Sequence, residues 1–357
     1  MCIVFIATTH PKYRLILIDN RDEFVLRPTS RPYWWKCADP LREGHTVDVL
    51  SARDLQRPER GTWLGITRSG LVAVLTNFRE IASADQPGPA LHGRRSRGGM
   101  VTAWLGQPPD EGVRSSVARL VADGEGVQGV GGFSMVCGKL RPGKATEEDD
   151  DHDGLAILSN RAGSLDDVPI VKSQHRGVWG LTNTAHDKSH EWPKISNGLG
   201  PFEDIVRAHG EAGDAVDEDD LIQRLLDFLT TDTLEGCEGK TLEDNVHDLK
   251  NSIFIPPLGA EKQHREMEEA RAAGGGAARG TFLAHDMPTP ERPDDEEPGM
   301  FFDKGLYGTQ RQTVILVDYE GNVTFVERAL WDAHGHRLEK GEGDVTFRFK
   351  IEKEEEK

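Results

Sequence analysis

The sequence predicts one mixed domain of strands and helices, of the α+β class, over residues 1–357. Three observations carry that expectation. Short runs of β-branched and aromatic residues recur through the first half, separated by turn chemistry. Clear helical periodicity with acidic residues at its start is found in the middle of the chain. The last third returns to the strand character of the first, so the polar stretch before it reads as an insertion within one domain.

Ile3 to Ala7 and Tyr13 to Asp19 are apolar runs, and Thr9-His10-Pro11-Lys12 between them has the composition of a turn, which predicts a hairpin. Thr62 to Thr67 and Leu71 to Thr76 flank Arg68-Ser69-Gly70 and predict a second. Single strands are expected at Gly132 to Cys137, Leu155 to Ser159 and Gly177 to Thr182. Helices are expected at Gly99 to Leu105 and Val113 to Ala122. A third, Asp219 to Leu229, has acidic residues at its positive end and Leu221, Leu225, Leu226 and Leu229 on one face. Thr313 to Asp318 and Val323 to Arg328 surround Tyr319-Glu320-Gly321-Asn322 as a closing hairpin, and Val345 to Lys350 alternates as a last strand.

Three polar segments read as additions to this domain. An acidic loop occupies 141–154, a low-complexity insertion 259–300, and a charged tail 352–357. The insertion combines a charged helical stretch from Glu261, the run Gly274-Gly275-Gly276, and a Pro/Asp/Glu-rich end.

Acidic residues outnumber basic ones, 61 to 43, for a net charge of −18. That charge repels phosphate backbones and anionic bilayers, so nucleic acid is not an expected partner. Cys2, Cys37, Cys137 and Cys237 lie far apart with no Cys-x-x-Cys pair, which speaks against a zinc site or a disulfide framework and for a reducing compartment. No run approaches the ~20 apolar residues that span a bilayer, and the first apolar run is too short for a signal-peptide core. The expectation is an intracellular protein without a membrane-inserted segment, of unspecified oligomeric state.

Chemistry centres on Cys2. Initiator methionine is commonly trimmed before a residue this small, which would place a thiol and a free α-amine on one carbon. The amine titrates near ~7.7 and a thiol near ~8.5, so the amine can act as the thiol's base. The plainer role is a small apolar residue at a strand end. Asp19-Asn20-Arg21-Asp22-Glu23 ends the second strand, and antiparallel pairing brings that end to the start of the first. A carboxylate there can hold the α-ammonium, and Arg21 favours thiolate. Asn20 and Asn77 have a plainer reading as turn residues. Trp63 and Trp179 read mainly as sheet core, with a ligand-pocket lining as the alternative shared by Trp192. His186 and His190 are spaced i, i+4 beside Asp187 and Glu191; the pair reads as a polar loop, and no metal site is expected.

Several segments resemble the NRDE family, also called the transport and Golgi organisation protein 2 family. They are Met1-Cys2-Ile3, Asn20-Arg21-Asp22-Glu23-Phe24 with Arg27-Pro28, Gly61-Thr62-Trp63-Leu64-Gly65, Leu75-Thr76-Asn77, Gly180-Leu181-Thr182-Asn183, and Tyr307-Gly308-Thr309 with the strands after it. The resemblance runs in order from the first residue to about Trp331. It implies a cytoplasmic protein, in part associated with mitochondria or Golgi and linked to secretion, lipid homeostasis and haem trafficking.

A more distant likeness implies chemistry. Gly70-Leu71 to Asn77-Phe78 and Leu181-Thr182-Asn183 are similar to the oxyanion-side segments of cysteine N-terminal-nucleophile hydrolases that cleave bile-salt and penicillin amides. The likeness implies a four-layer αββα sandwich of two mainly antiparallel sheets. Carried over by position, Cys2 attacks an acyl carbonyl, in a non-peptide amide or a thioester, Asp22 holds its amine, and Asn77 and Asn183 donate to the oxyanion. Asn20, Arg21, Trp63 and Arg311 then fall on the substrate side. No cofactor is required, and haem is a candidate ligand of the same cleft, bound without turnover. A scaffold for secretory traffic is the remaining alternative. The chain departs from the hydrolases in two places. Asp19 stands where they carry an arginine three residues before the aspartate, and Gln310 stands where family members often carry the arginine after Tyr-Gly-Thr. Neighbouring strand residues face opposite ways, so the one-residue displacement predicts that Arg311 points away.

Overall fold

The computed structural model describes residues 2–78, 96–122, 126–127, 130–143, 154–172, 174–237, 239–274 and 302–352. Most of the expected acidic loop, the insertion after residue 274 and nearly all of the tail lie outside the described residues.

Strands β1 (Ile3–Ala7) and β2 (Tyr13–Phe24) form the predicted first hairpin, with Val4 opposite Asp19 and Ile3 opposite Asn20. Then come β3 (Tyr33–Ala38), β4 (Thr46–Ser51), β5 (Leu64–Thr67) and β6 (Leu71–Asn77). Gly70 turns β5 into β6 at φ +87°, and a Cβ there would lie 2.1 Å from the Leu140 carbonyl oxygen, so only glycine fits. Helices α1 (Arg97–Leu105) and α2 (Val113–Ala122) precede β7 (Phe133–Lys139), β8 (Gly154–Ser159), β9 (Ile170–Lys172) and β10 (Val178–Thr182). A helical stretch follows: α3 (Pro193–Ser196), α4 (Leu199–Ala212), α5 (Glu218–Phe228), α6 (Leu242–Asn245) and α7 (Glu261–Gly274). The chain closes with β11 (Tyr307–Asp318), β12 (Asn322–Ala329) and β13 (Asp344–Lys350).

The strands build two antiparallel sheets. One runs β10-β1-β2-β11-β12-β13 and the other β3-β4-β5-β6-β7-β8-β9. Alternation along each strand sorts apolar side chains into three layers of core. Val4, Ile6, Leu15 and Leu17 meet Leu64, Ile66, Val72 and Val74 between the sheets. Ile16 and Ile18 face outward to Phe202 and Val206 of α4 and Leu221 and Leu225 of α5. On the far side, Leu71, Ala73 and Met135 pack under Trp104 of α1 and Val117 of α2. The result is the expected αββα sandwich. It explains why β1 is apolar throughout, since both of its faces are covered.

Helix α5 matches its sequence signals. The Asp217 carboxylate accepts the Asp220 N–H at the N-cap, Glu218, Asp219 and Asp220 occupy the first turn, and the leucine stripe is buried. Other elements depart from expectation. β2 does not end at Asp19; it continues through the polar run to Phe24 because β11 pairs it to that end, while β1 pairs it as far as Asn20. β11 likewise starts at Tyr307, six residues early, to match that length. The strands β3, β4 and β9 and helices α3, α4 and α6 were not expected. In α4, Gly200, Pro201 and Gly210 obscure the period of the buried Phe202, Val206 and His209. Among the described residues, no helix is long and apolar enough to cross a membrane.

Candidate active site

The start of β1 and the end of β2 meet, as the hairpin requires. Cys2 is buried, and the main-chain N–H of Asp22 donates to its sulfur. Burial pushes the thiol up to about 11, and the nearby Asp19 and Asp22 carboxyls add to that push. Asp22 is buried too. Its Oδ1 accepts the Thr309 hydroxyl at 2.7 Å, and its main-chain oxygen accepts the Tyr307 hydroxyl at 3.2 Å. Burial raises the Asp22 carboxyl, while the chain's α-ammonium, then the charge of Lys194, the Thr309 hydrogen bond and the charge of Arg21 hold it down.

The Cys2 carbonyl is held from two directions. Thr182 donates its hydroxyl at 3.0 Å, and Lys194 reaches it with Nζ at 3.4 Å. Thr182 ends β10, so the next residue, Asn183, lies at the same seam between the sheets. The Asn183 Nδ2 donates to Asn77 Oδ1 at 3.0 Å and also to the Asn77 carbonyl. Cys2, Asp22, Asn77 and Asn183 are therefore linked through one network, in which the Asn183 amide is committed to Asn77.

The substrate-side expectations divide. The Arg21 guanidinium lies 4.3 Å from the Trp63 ring and donates to the Gln310 side chain, so these residues form one wall between the sheets. Trp63 is half-buried and packs against the inter-sheet core as well. Trp179 packs against the same core. Arg311 does not point away. The β2–β11 register shifts between Thr309 and Arg311, and this irregularity at Gln310 sets Arg311 directly opposite Arg21 on the same face. Its guanidinium is engaged there by the Trp331 carbonyl at 3.0 Å, Thr29 Oγ1 at 3.4 Å and Glu327 at 3.8 Å. Asn20 faces the helical layer. Its Nδ2 donates to the Leu229 and Ile253 carbonyls at 2.8 and 2.9 Å and its Oδ1 accepts from Gln312, so it ties the sheet to the helices from within β2 and does not form a turn. His186 and His190 lie in a single 3-10 stretch, His186–Glu191. Among the described residues, no group of three or more His, Cys, Asp or Glu could hold a metal ion.

Residues 1–332 match the family described as Transport and Golgi organisation 2. The chain belongs to that family. The human Transport and Golgi organization protein 2 homolog is 28% identical over 339 residues, covering 93% of this chain and 94% of its own. Transport and Golgi organization protein 2 of Drosophila melanogaster is 28% identical over 342 residues, covering 94% and 95%. Among solved structures, a mutant conjugated bile acid hydrolase from Clostridium perfringens is similar at TM-score 0.35 and 9% identity, over 99% of this chain and 97% of that one. The Caenorhabditis elegans ortholog of N-acylethanolamine-hydrolyzing acid amidase gives 0.33 and 10%, over 63% and 85%.

Two residues of this Transport and Golgi organisation 2 member reach the site without a signal in the sequence. Lys194 arrives on α3, fully buried, from a Trp192-Pro193-Lys194 stretch that has no catalytic pattern. Arg97, the first residue of α1, comes within electrostatic reach of Cys2, Glu23, Arg27 and Arg57. Helix packing, not local spacing, delivers both.

Proposed function

We propose that the protein is an acyl hydrolase that uses Cys2, after removal of Met1, to cleave a non-peptide amide or a thioester. The observation that carries the reading is the meeting of the Cys2 thiol with Asp22 inside a buried, hydrogen-bonded site. In this reading the thiolate attacks the acyl carbonyl carbon, the C–N or C–S bond breaks, and the leaving group takes a proton from the α-ammonium held by Asp22. Water then hydrolyses the resulting thioester. Asn77 and Asn183 serve the oxyanion once the Asn183 amide turns from Asn77 to the substrate; losing one such donor costs ~10²–10³ in rate. Arg21, Trp63 and Arg311 form the wall beside the acyl group.

The test combines intact mass, an acyl-substrate panel and a thiol-directed activity probe on the wild type, Cys2→Ser and Cys2→Ala. Turnover and labelling lost in Cys2→Ala support the reading. Retention of Met1 ends the N-terminal-nucleophile version, because the α-amine is then absent from Cys2.

A second reading is a cleft that binds haem or a lipid-like acyl compound without turning it over. Its support is that the thiol is held neutral at ordinary pH and the Asn183 amide is already committed. Titrating haem into wild type and Cys2→Ala tests it, and binding no stronger than to an unrelated acidic protein rejects it. An effect on Golgi organisation is suggested by the names of its relatives, and we propose a cytoplasmic location with either reading; organelle fractionation checks it.

A further inference from the structure

We propose that Lys194 is the positioning residue of this site, its ammonium fixing the Cys2 carbonyl and adding to the positive charge against which Asp22 is held. The inference rests on the reading of Cys2 as the reacting group.

A lysine is rarely carried into a protein interior without a compensating charge, because desolvating an ammonium costs several kcal/mol, on the order of a whole domain's stability. Lys194 is 1% exposed. The chain is built to hold it there: Pro193 starts α3, and the Lys194 N–H donates to the Lys250 carbonyl at 3.0 Å. At the other end of the side chain, Nζ lies 3.4 Å from the Cys2 oxygen. Burial lowers the Lys194 pKa, and Asp22 and Cys2 are the two groups that pull it back up. Lys194 in turn restrains the rise that burial imposes on Asp22.

The charge acting most on Cys2 is the chain's own α-ammonium, which favours the thiolate, and the side-chain charges come from three elements. β2 contributes Asp19 and Asp22, α1 contributes Arg97, and α3 contributes Lys194. The two carboxyls disfavour a thiolate, so the cations decide whether one forms. Of the side-chain cations, Lys194 is the one hydrogen-bonded to the nucleophile's own residue. A neutral Asp22 would have no charge with which to hold an α-ammonium, so the same lysine prepares both halves of the proposed nucleophile.

The experiment is the pH profile of iodoacetamide alkylation of Cys2 in the full chain, followed on the N-terminal peptide by mass spectrometry, for wild type, Lys194→Met and Lys194→Arg. An opposite charge nearby is worth about one to three pKa units, so Lys194→Met should slow alkylation at about pH 9 by roughly tenfold or more, and Lys194→Arg should restore it. A Lys194→Met profile that overlays wild type overturns the proposal. Should Lys194→Met fail to fold, carbon NMR of the Lys194 side chain in the unsubstituted protein decides. Its Cε shift must inflect at the Cys2 midpoint and lose that inflection once Cys2 is alkylated; no inflection overturns the proposal. Alkylation needs no turnover, so an inert acyl panel with a shifted profile would reject the hydrolase reading and leave Lys194 in its role.

Discussion

The Thr76 hydroxyl donates to the main-chain carbonyl of Thr182 at 2.8 Å, joining the central strand of one sheet to the edge strand of the other. Thr182 passes the connection on through its own hydroxyl to the Cys2 carbonyl. The two threonines thus set where the sheets meet beside the candidate nucleophile. Thr76→Val keeps the shape and removes the donor from a fully buried position. It should cost about 1–3 kcal/mol in urea unfolding, and a loss within experimental error would show that the sheets meet without this bond.

Asn20 offers a separation of structure from chemistry. Asn20→Leu deprives the Leu229 and Ile253 carbonyls of their shared donor. Each unsatisfied carbonyl costs about 1–3 kcal/mol, so thermal unfolding should move down by several degrees. An unchanged midpoint would show that the two carbonyls do not depend on Asn20.

His10 makes stability depend on pH. Its Nδ1 accepts the N–H groups of Lys12 at 3.0 Å and Tyr13 at 3.1 Å, which requires that nitrogen to be unprotonated, so Nε2 carries the hydrogen toward His209 Nδ1 at 3.0 Å. Burial, then the neighbouring His209, lower the His10 pKa from an ordinary 6.5 to about 4. The unfolded chain therefore binds a proton between those values that the folded chain refuses. Stability is complete above the higher value and should fall as pH drops toward the lower, by about 1.4 kcal/mol per unit. His10→Asn keeps an acceptor without the titration and should flatten that slope in denaturant unfolding from pH 7 to 4.5, both given as approximate limits; an equal slope would assign the loss to other groups.

Asp19 has the opposite sign. It is fully buried, neither of its carboxyl oxygens has a hydrogen-bond partner among the described residues, and burial followed by the charge of Asp22 raises its pKa well above the ordinary 3.8. The folded state keeps a proton that the unfolded state gives up, so stability falls as pH rises past the ordinary value. Asp19→Asn removes that dependence. The variant should be the more stable form at alkaline pH and lose its advantage near pH ~4; calorimetry showing a constant difference would mean that Asp19 is ionised in the fold.

How much was legible varies with the range of the interaction involved. The β1–β2 hairpin was readable because two apolar runs flank a His-Pro turn, and with it came the approach of Cys2 to the Asp22 region. The leucine stripe and acidic N-terminus of α5 were readable for the same local reason. Arg311 was misread. Counting residues along one strand predicts its face correctly only if the partner strand keeps step, and the irregularity at Gln310 carries no glycine or proline to announce itself. Lys194 was invisible, since its partner Cys2 is 192 residues away in the chain.

The strand and helix character of the chain, its family and the candidacy of Cys2, Asp22, Asn77 and Asn183 are legible in the residues alone, because periodicity, turn residues and ordered motifs are written locally. Packing settled that Arg311 faces Arg21, that Asn20 serves the helical layer, and that a buried lysine stands behind Cys2. Those outcomes depend on strand register and on which helix covers which face. Both are set by the packing of distant segments, for which no single stretch of sequence carries the information.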